Sequence, residues 1–448
     1  MISAQETHHN KVYLDFIKSF RMERGFGAHD WLGEIRERAY ERLQALGFPT
    51  RKSEAWKYIN LDPILNASFI PTDGTSLPDF TDETLIQDHF LSEYGSNRLV
   101  FINGIYSNKF SSVQKLPAGS VFENLSTSFE KNRELVKLYL AKNVMNEPNP
   151  FALANTFSFK DGAFLYLYPA AEIKDPIHLL FIESETELSP SVSHPRILIV
   201  ADKNAKANIV IDHIGFQNSR NFMNAVSEIY LGKNSEVRVE ILQRNAHQFL
   251  ATRVYLEEES KFEVIALNQN GIVTRNETNV NFVGKSAFCK IQGLSVLSGD
   301  SQAYEHITVN HAFPECTSRQ LYKNILAGRA KSEFNSLVHV HRDAQKSDSN
   351  QLNRNLLLSE TARAYSRPQL RIDADDVKAT HGAATGQIEK DELFYLQSRG
   401  IQKDTARLML TYGFVEEVLE QIQPKHLRTQ LEQSVRLELE EIVKKADL

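Results

Sequence analysis

Hydrophobic residues along this chain change their period twice. Up to about residue 150 they recur mainly at helical spacing. The stretch AHDWLGEIRERAYERLQALGFP sets Trp31, Leu32, Ile35, Ala39, Leu43 and Leu46 roughly three and four apart, then stops at Gly47 and Pro49. That predicts an amphipathic helix with a defined end. NRELVKLYLAKN repeats the spacing before the breaker NEPNP, and RLVFINGIY between the two reads as a short strand. After Pro150 the period falls to two. AFLYLYP, IHLLFIE, RILIVADKNAKANIVIDHIG, SEIYLGKNSEVRVEILQ and RVYLEEESKFEVIALNQNG are short β-rich runs separated by turn residues. In one of them Val237, Val239 and Ile241 share a face while Arg238 and Glu240 take the other. From about Glu389 the helical period returns. KDELFYLQSRG carries Leu393, Phe394 and Leu396, and DTARLMLTYGFVEEVLEQI places Ala406, Leu410, Phe414, Val418 and Ile422 at intervals of four. A last amphipathic run starts at Pro424. The chain therefore divides into a mainly helical region, 1–150, a β-rich core, 151–385, and a helical region, 386–448.

A loose repeat runs through the β-rich part. Strand–turn–strand units centre on Ala205, Ser235, Ser260, Ser286, Ala330 and Ala362, at intervals of 30, 25, 26, 44 and 32 residues, the 44 being long enough for two short coils. A small residue in a polar turn at such a period predicts stacked β coils, a parallel β-helix. A large antiparallel sandwich is the competing arrangement.

Composition narrows the function classes. The chain has 448 residues, 42% hydrophobic and 24% charged, with a net charge of −6. That balance argues against a nucleic-acid partner, because phosphate backbones are held by clustered Lys and Arg. No apolar run is long enough for a membrane span. The first residues, MISAQETHHNKVYLDF, lack the apolar segment and cleavage site of a secretory signal. The only two cysteines, Cys289 and Cys316, match no zinc or disulfide spacing, which favours a reducing cytoplasm.

Several motifs carry candidate chemistry. Gly284-Lys285-Ser286 resembles the tail of a phosphate-binding loop, but Asn279 stands where the first glycine belongs and the segment reads as a β-turn. No ATPase is expected in this chain. His339 and His341 lie two apart on one strand face, with His306 and His311 a coil or so earlier, yet no carboxylate or cysteine has a matching spacing. A solvated histidine face is the simpler reading. Cys289 alternates with Phe288 and Ile291 as a buried small hydrophobe would, whereas Cys316 follows a turn and reads as the more exposed thiol. RIDADDVKATHGAATG, 371–386, gathers Asp373, Asp375, Asp376, Lys378 and His381. These can serve as bases, ligands or a proton shuttle, or as the solvated turn between two domains.

The stretch LNRNLLLSETARAYSRPQLRIDADDVKATHGAATGQIEKDELFYLQSRGI, 352–401, resembles the C-terminal signature of the SufB/SufD family of iron–sulfur cluster assembly proteins, in LLLS, P-x-L-x-I, DDVK, HGAxxG and LFYLQSRGI. RKSEAWKYINL (51–61) and NPFALANTFSFKDGAFLYLYP (149–169) are similar to the family as well, so the likeness spans most of the chain and leans to its D-type members. The resemblance implies a right-handed parallel β-helix core between helical ends. It also implies a non-catalytic scaffold in a complex with SufB, paired through the β-helix cores, and with the ATPase SufC, held by the C-terminal helices. ATP would then be used only on SufC, a transient iron–sulfur cluster would be shared with SufB, and a reduced flavin would be accommodated on the complex. A self-paired homodimer is a further alternative for the isolated chain.

Under that resemblance His381 is the ligand at the SufB interface, and Leu393, Phe394, Leu396, Leu410, Phe414 and Val418 form the SufC docking stripe. Family members often carry a cysteine two residues before this histidine, and here that position is Ala379. Arg371 to Val377 would form a late strand and Gly382 to Gly386 the turn into the helical region. The rival class is a secreted-type β-helix polysaccharide lyase or hydrolase using Asp375, Asp376 and Lys378.

Overall fold

The computed structural model of the chain describes residues 31–445, apart from 51, 66, 68, 72–82, 92–96, 185–189, 217–219, 246 and 270. The N-terminal stretch read against a secretory signal lies outside the described residues. In chain order the first core strands are β1 (Arg98–Ile102), β2 (Gly162–Leu167), β3 (Ile177–Glu183), β4 (Arg196–Ala201), β5 (Lys206–Gly215), β6 (Phe222–Leu231), β7 (Glu236–Arg244) and β8 (His247–Leu256). Then come β9 (Lys261–Gln269), β10 (Val273–Phe282), β11 (Phe288–Leu297), β12 (Gln302–His311), β13 (Thr317–Leu326), β14 (Lys331–Val340), β15 (Ser347–Leu357), β16 (Arg363–Ile372) and β17 (Val377–Gly386). Each odd strand pairs in parallel with the next odd strand, and each even strand with the next even one. The chain thus crosses one sheet, turns, crosses the other and returns one coil further on. This is a parallel β-helix, and the parallel pairing rules out the antiparallel sandwich.

The coils stack because one turn is built the same way each time. Between an even strand and the following odd strand the chain passes through a left-handed residue: Asn204, Asn234, Glu259, Ser286, Glu315 and Lys346 all have φ between 55° and 62°. The N–H of each donates to a turn carbonyl of the next coil, from Asn204 to Lys233 (2.9 Å) through to Lys346 to Asp376 (2.6 Å). Directly after each comes a small buried residue, in the order Ala205, Ser235, Ser260, Ala287, Cys316 and Ser347. The sequence repeat therefore needs two corrections. Its fourth member is Ala287 rather than Ser286, and the long interval hides Cys316, a thiol in a position otherwise held by Ala or Ser. Ala330 and Ala362 belong to the opposite column of turns, leading from odd strands into even ones, where Gly299 and Gly328 supply the positive φ. Cys316 is buried, contrary to the exposed reading.

Inside the coils, Leu99, Phe101, Phe181, Ile199, Ile209 and Ile211 fill the N-terminal end. That end is closed by two short antiparallel strands, Val121–Asn124 on β2 and Ile105–Tyr106 on β1. The helices are α1 (Trp31–Leu46), α2 (Leu125–Lys131), α3 (Arg133–Tyr139), α4 (Pro150–Ser158), α5 (Lys390–Ser398), α6 (Lys403–Leu419) and α7 (Lys425–Lys445). Gly47 ends α1 with a positive φ of 69°, as its position after Leu46 predicts. Asn149 caps α4 by accepting from the N–H groups of Phe151 and Ala152, with Pro150 at the first helical position. α4 is buried throughout and packs with α1 on the outside of the even sheet. α6 and α7 cover the outside of the odd sheet, where Leu242, Ile265, Leu294 and Ile325 meet Val415, Leu419, Leu431 and Val435.

Candidate functional site

The two ends of the β-helix differ. Every interior coil is bonded on both sides, but β16 pairs only with β14, and β17 only with β15. Neither terminal strand has a fully buried residue. The C-terminal end therefore presents two free strand edges, which in most proteins are covered or paired. Gly382 to Gly386, expected as a turn, lie inside β17, and the turn is Asp373 to Asp376 between β16 and β17.

Register settles where His381 points. It lies beside Gln351, which lies beside Gln320 and then Ile291, and all three of these are buried in the β-helix interior. Strand parity places His381 on the same inner face, at the mouth of the coil stack, and it is exposed there. Ala379 shares the inner face two residues earlier, above Ser349, Ser318 and Cys289. A hydrogen-bonded run lies beneath it: His311 Nε2 to Ser318 Oγ at 2.9 Å, and Ser318 to Ser349 at 3.0 Å. Cys289, the thiol in that column, is three strands deep, about 14 Å at the usual strand spacing. Burial pushes its thiol pKa up, as it does that of Cys316, to about 11. The mouth thus offers one imidazole and no thiolate.

Below His381 the interior is polar, unlike the opposite end. Gln351 Nε2 donates to the Gln369 carbonyl of β16 (3.2 Å), and Ser336 Oγ donates to Gln320 Oε1 (2.6 Å). Asn355 links Asn324, Ser366 and Thr385 at 2.7–3.1 Å. The Gln320 amide nitrogen and the Gln351 amide oxygen are buried without a hydrogen-bond partner among the described residues. Alternation alone did not reveal this lining, because Ser, Asn and Gln in a β run read as an outer face until the register fixes which side is inside.

The aspartates do not assemble a catalytic group. Asp373 Oδ2 accepts from His339 Nε2 at 2.8 Å and pairs with Arg371 at 3.4 Å. The His339 hydrogen bond is the main cause holding the Asp373 carboxyl below its ordinary range. The Asp376 main chain closes the turn ladder through Lys346 and Gln345. Asp375 and Lys378 are not fully buried on this corner. The four histidines do not gather either. His311 points inward, and His306 lies buried on the outer face of the even sheet, bonded to Glu333 at 3.2 Å. His339 and His341 lie ring to ring at 3.8 Å beside Asp373, a carboxylate supplied by the next coil that spacing within the motif could not show. Among the described residues, no group of three or more His, Cys, Asp or Glu side chains stands arranged to hold a metal ion. Gly284-Lys285-Ser286 is a turn between β10 and β11, with Lys285 paired to Glu258. A side chain at Gly284 would lie 2.2 Å from the Glu258 nitrogen.

The helical stripe splits between two faces. Val418, 1% exposed, is part of the core under α6 and offers no surface to a partner. Phe414 is half-buried over Lys323, whose Nζ donates to the Phe414 carbonyl at 2.8 Å. Leu410 is half-buried and, with Phe414, lines a cleft against β17. Leu393 and Leu396 on α5 are partly exposed, and Phe394 is 71% exposed. Spacing missed the exposed Tyr395 of α5, and also Met409, because a stripe at intervals of four identifies the inward face of α6 and not the outward one. No helix among the described residues is long and apolar enough to cross a membrane.

Comparison with known proteins agrees with this architecture. The SUF system FeS cluster assembly SufBD core domain matches residues 181–414, and the SufBD protein N-terminal region matches residues 7–179. An iron–sulfur cluster assembly SufBD family protein of Synechocystis is 31% identical over 411 residues, covering 89% of each chain. The iron–sulfur cluster assembly protein SufD of Escherichia coli is 28% identical over 402 residues, covering 88% of this chain and 90% of its own. SufD of Bacillus subtilis is 26% identical over 434 residues, covering 93% and 95%. With two matched regions that together span the β-helix and its N-terminal flank, the chain belongs to the SufBD family of iron–sulfur cluster assembly proteins and is SufD-like.

Proposed function

We propose that the protein is a non-catalytic scaffold subunit that works with SufB and the ATPase SufC in the cytoplasm, holding one side of the site where an iron–sulfur cluster is built. The open end of the β-helix carries this reading. β16 and β17 offer free main-chain edges to a second β-helix, and strand addition supplies affinity through main-chain hydrogen bonds. His381 stands on the inner face of that edge. The cluster is cargo here, shared across the joint. This side gives one nitrogen and SufB gives the sulfur ligands, which suit iron–sulfur chemistry better. In isolation the same edge would pair with a second copy of the chain.

The C-terminal helices would couple that joint to SufC. Phe394, Tyr395 and Met409 are apolar and exposed, as a docking surface requires. α6 is tied to the odd sheet by the Lys323 ion pair with Glu417 (2.5 Å), and the turn after it by Arg238, which donates to the Gln421 carbonyl. ATP bound on SufC would act through these ties, so that closure of the SufC subunits shifts the paired cores, while a reduced flavin would be accommodated elsewhere on the complex.

Co-expression with SufB and SufC tests the reading. The chain should co-purify with both, whereas a polysaccharide lyase would come alone. His381→Ala should lower cluster formation on the purified complex, read by absorbance, with the subunit ratio unchanged. Equal cluster yield from the variant would remove the ligand role.

A further inference from the structure

Residues 52–60, within the segment that resembles the family, have had no function so far. They cross the outside of the even sheet and touch four of its strands, β8, β10, β12 and β16. Trp56 is buried, packing on Phe151 of α4 at 5.2 Å and on Phe249 of β8 at 5.9 Å between ring centroids. The Arg275 guanidinium of β10 stands over the Trp56 ring at 3.8 Å. The Tyr58 carbonyl accepts from Tyr304 Oη of β12 at 2.8 Å. The Tyr58 ring is stacked on Tyr365 of β16, 4.1 Å away and tilted by 14°. Arg367 of β16 donates to the Glu54 carboxylate and, at 2.9 Å, to Glu333 of β14.

β16, like β17, is a strand that needs such support. It has ladder bonds on one side only, and terminal strands open at a lower free energy than interior ones. Its position also bears on the site. Its Gln369 carbonyl receives Gln351 Nε2, and Gln351 is the register neighbour of His381. Ser366, on the same strand, joins Asn355, which bonds Thr385 of β17. A continuous path therefore runs from the N-terminal segment, through β16, to the amides beneath His381.

We propose that residues 52–60 are a splint that fixes the last coil, so that the N-terminal region sets the position of the pairing edge and of His381. Tyr58, Glu54 and Arg367 are positioning residues, since none of them stands at the mouth beside His381. The functional half of this inference rests on the pairing proposed above. The structural half does not.

Both halves can be tested on the full chain with Tyr58→Ala and Arg367→Ala, with Tyr58→Phe as the variant that keeps the stack and Glu54→Gln as the mildest change. Hydrogen exchange should quicken in residues 363–372 by about tenfold or more in the alanine variants, with β8 and β10 unchanged. Affinity for SufB should fall by a similar factor, about tenfold, and Tyr58→Phe should restore both readouts. Unchanged exchange in β16 would overturn the splint. Faster exchange with full SufB affinity would overturn its positioning role. If the unmodified chain does not bind SufB, the pairing proposal fails, and the exchange result alone decides whether the splint exists.

Discussion

The two cysteines show how far position governs chemistry at the scale of single residues. Cys289 faces the interior, and Cys316 takes the small-residue place in a turn, where its Sγ donates to the Gly284 carbonyl at 3.3 Å. Burial holds both thiols protonated well above neutral pH, and only a thiolate is a nucleophile. At pH 8 a bulky thiol reagent should therefore label neither residue in the native protein and both after denaturation, as read by mass spectrometry. Rapid labelling of either in the folded chain would show that the coil opens there. Cys316→Ala, which suits a column of Ala and Ser, should fold normally. The sequence singled out His381 only through its resemblance to the family, since on spacing alone the stretch reads equally as a solvated turn. It could not show that His381 faces the interior, nor that the residues below it are polar, since both follow from the register of β17 on β15.

At the scale of elements, the stack of turns explains why a loose repeat folds as a regular solenoid. The register needs one residue per coil at φ near 60°, and the chain meets that need with Asn204 and Asn234, then with Glu259, Ser286, Glu315 and Lys346. Asn adopts this conformation readily. A longer side chain pays about 1 kcal/mol or more there. Glu259→Asn should raise the urea midpoint, by about 0.5–1 kcal/mol in stability, and Asn234→Val should lower stability by about 1–2 kcal/mol, because a β-branched residue suits φ > 0 least. If Asn234→Val were neutral, the turn would not be setting the stack. This variety also limited the sequence reading. A repeat marked by Gly would have been plain, but a column of Asn, Glu, Ser and Lys shares no residue type, only a backbone shape. The helical regions were easier to read, because α1 and α6 carry their period in apolar residues. α6 misled only over which neighbour its stripe meets, since Val418 packs on the protein's own odd sheet.

At the scale of the whole molecule, the unusual feature is how many ionisable groups the fold buries. Burial holds His178, His194 and His213 to a pKa of about 3 and His311 to about 4, all below the unfolded value near 6.5. Their contribution to stability is complete above pH 6.5 and is lost as pH falls toward their folded values. Glu183, Glu305 and Glu438 behave in the opposite sense. Burial lifts each to about 8, so their contribution is complete below about pH 4.5, the unfolded value, and is lost as pH rises to 8. Between pH 4.5 and 6.5 the two sets oppose each other. Above 6.5 the histidines have finished titrating and only the glutamates remain, each costing on the order of 1 kcal/mol per pH unit. The thermal midpoint should therefore peak near pH 6.5 and fall on the alkaline side up to about pH 8. Glu438 lies under α7 and accepts from Gln269 of β9 at 3.1 Å, at the seam between the C-terminal helices and the β-helix. Glu438→Gln removes one of the three charges while keeping the size and an acceptor for Gln269. It should flatten the alkaline slope and leave the midpoint at pH 5 nearly unchanged. A midpoint that stays level from pH 6.5 to 8.5 in the unmodified protein would mean that the buried carboxyls reach water, and that the coils are open where the structure shows them closed.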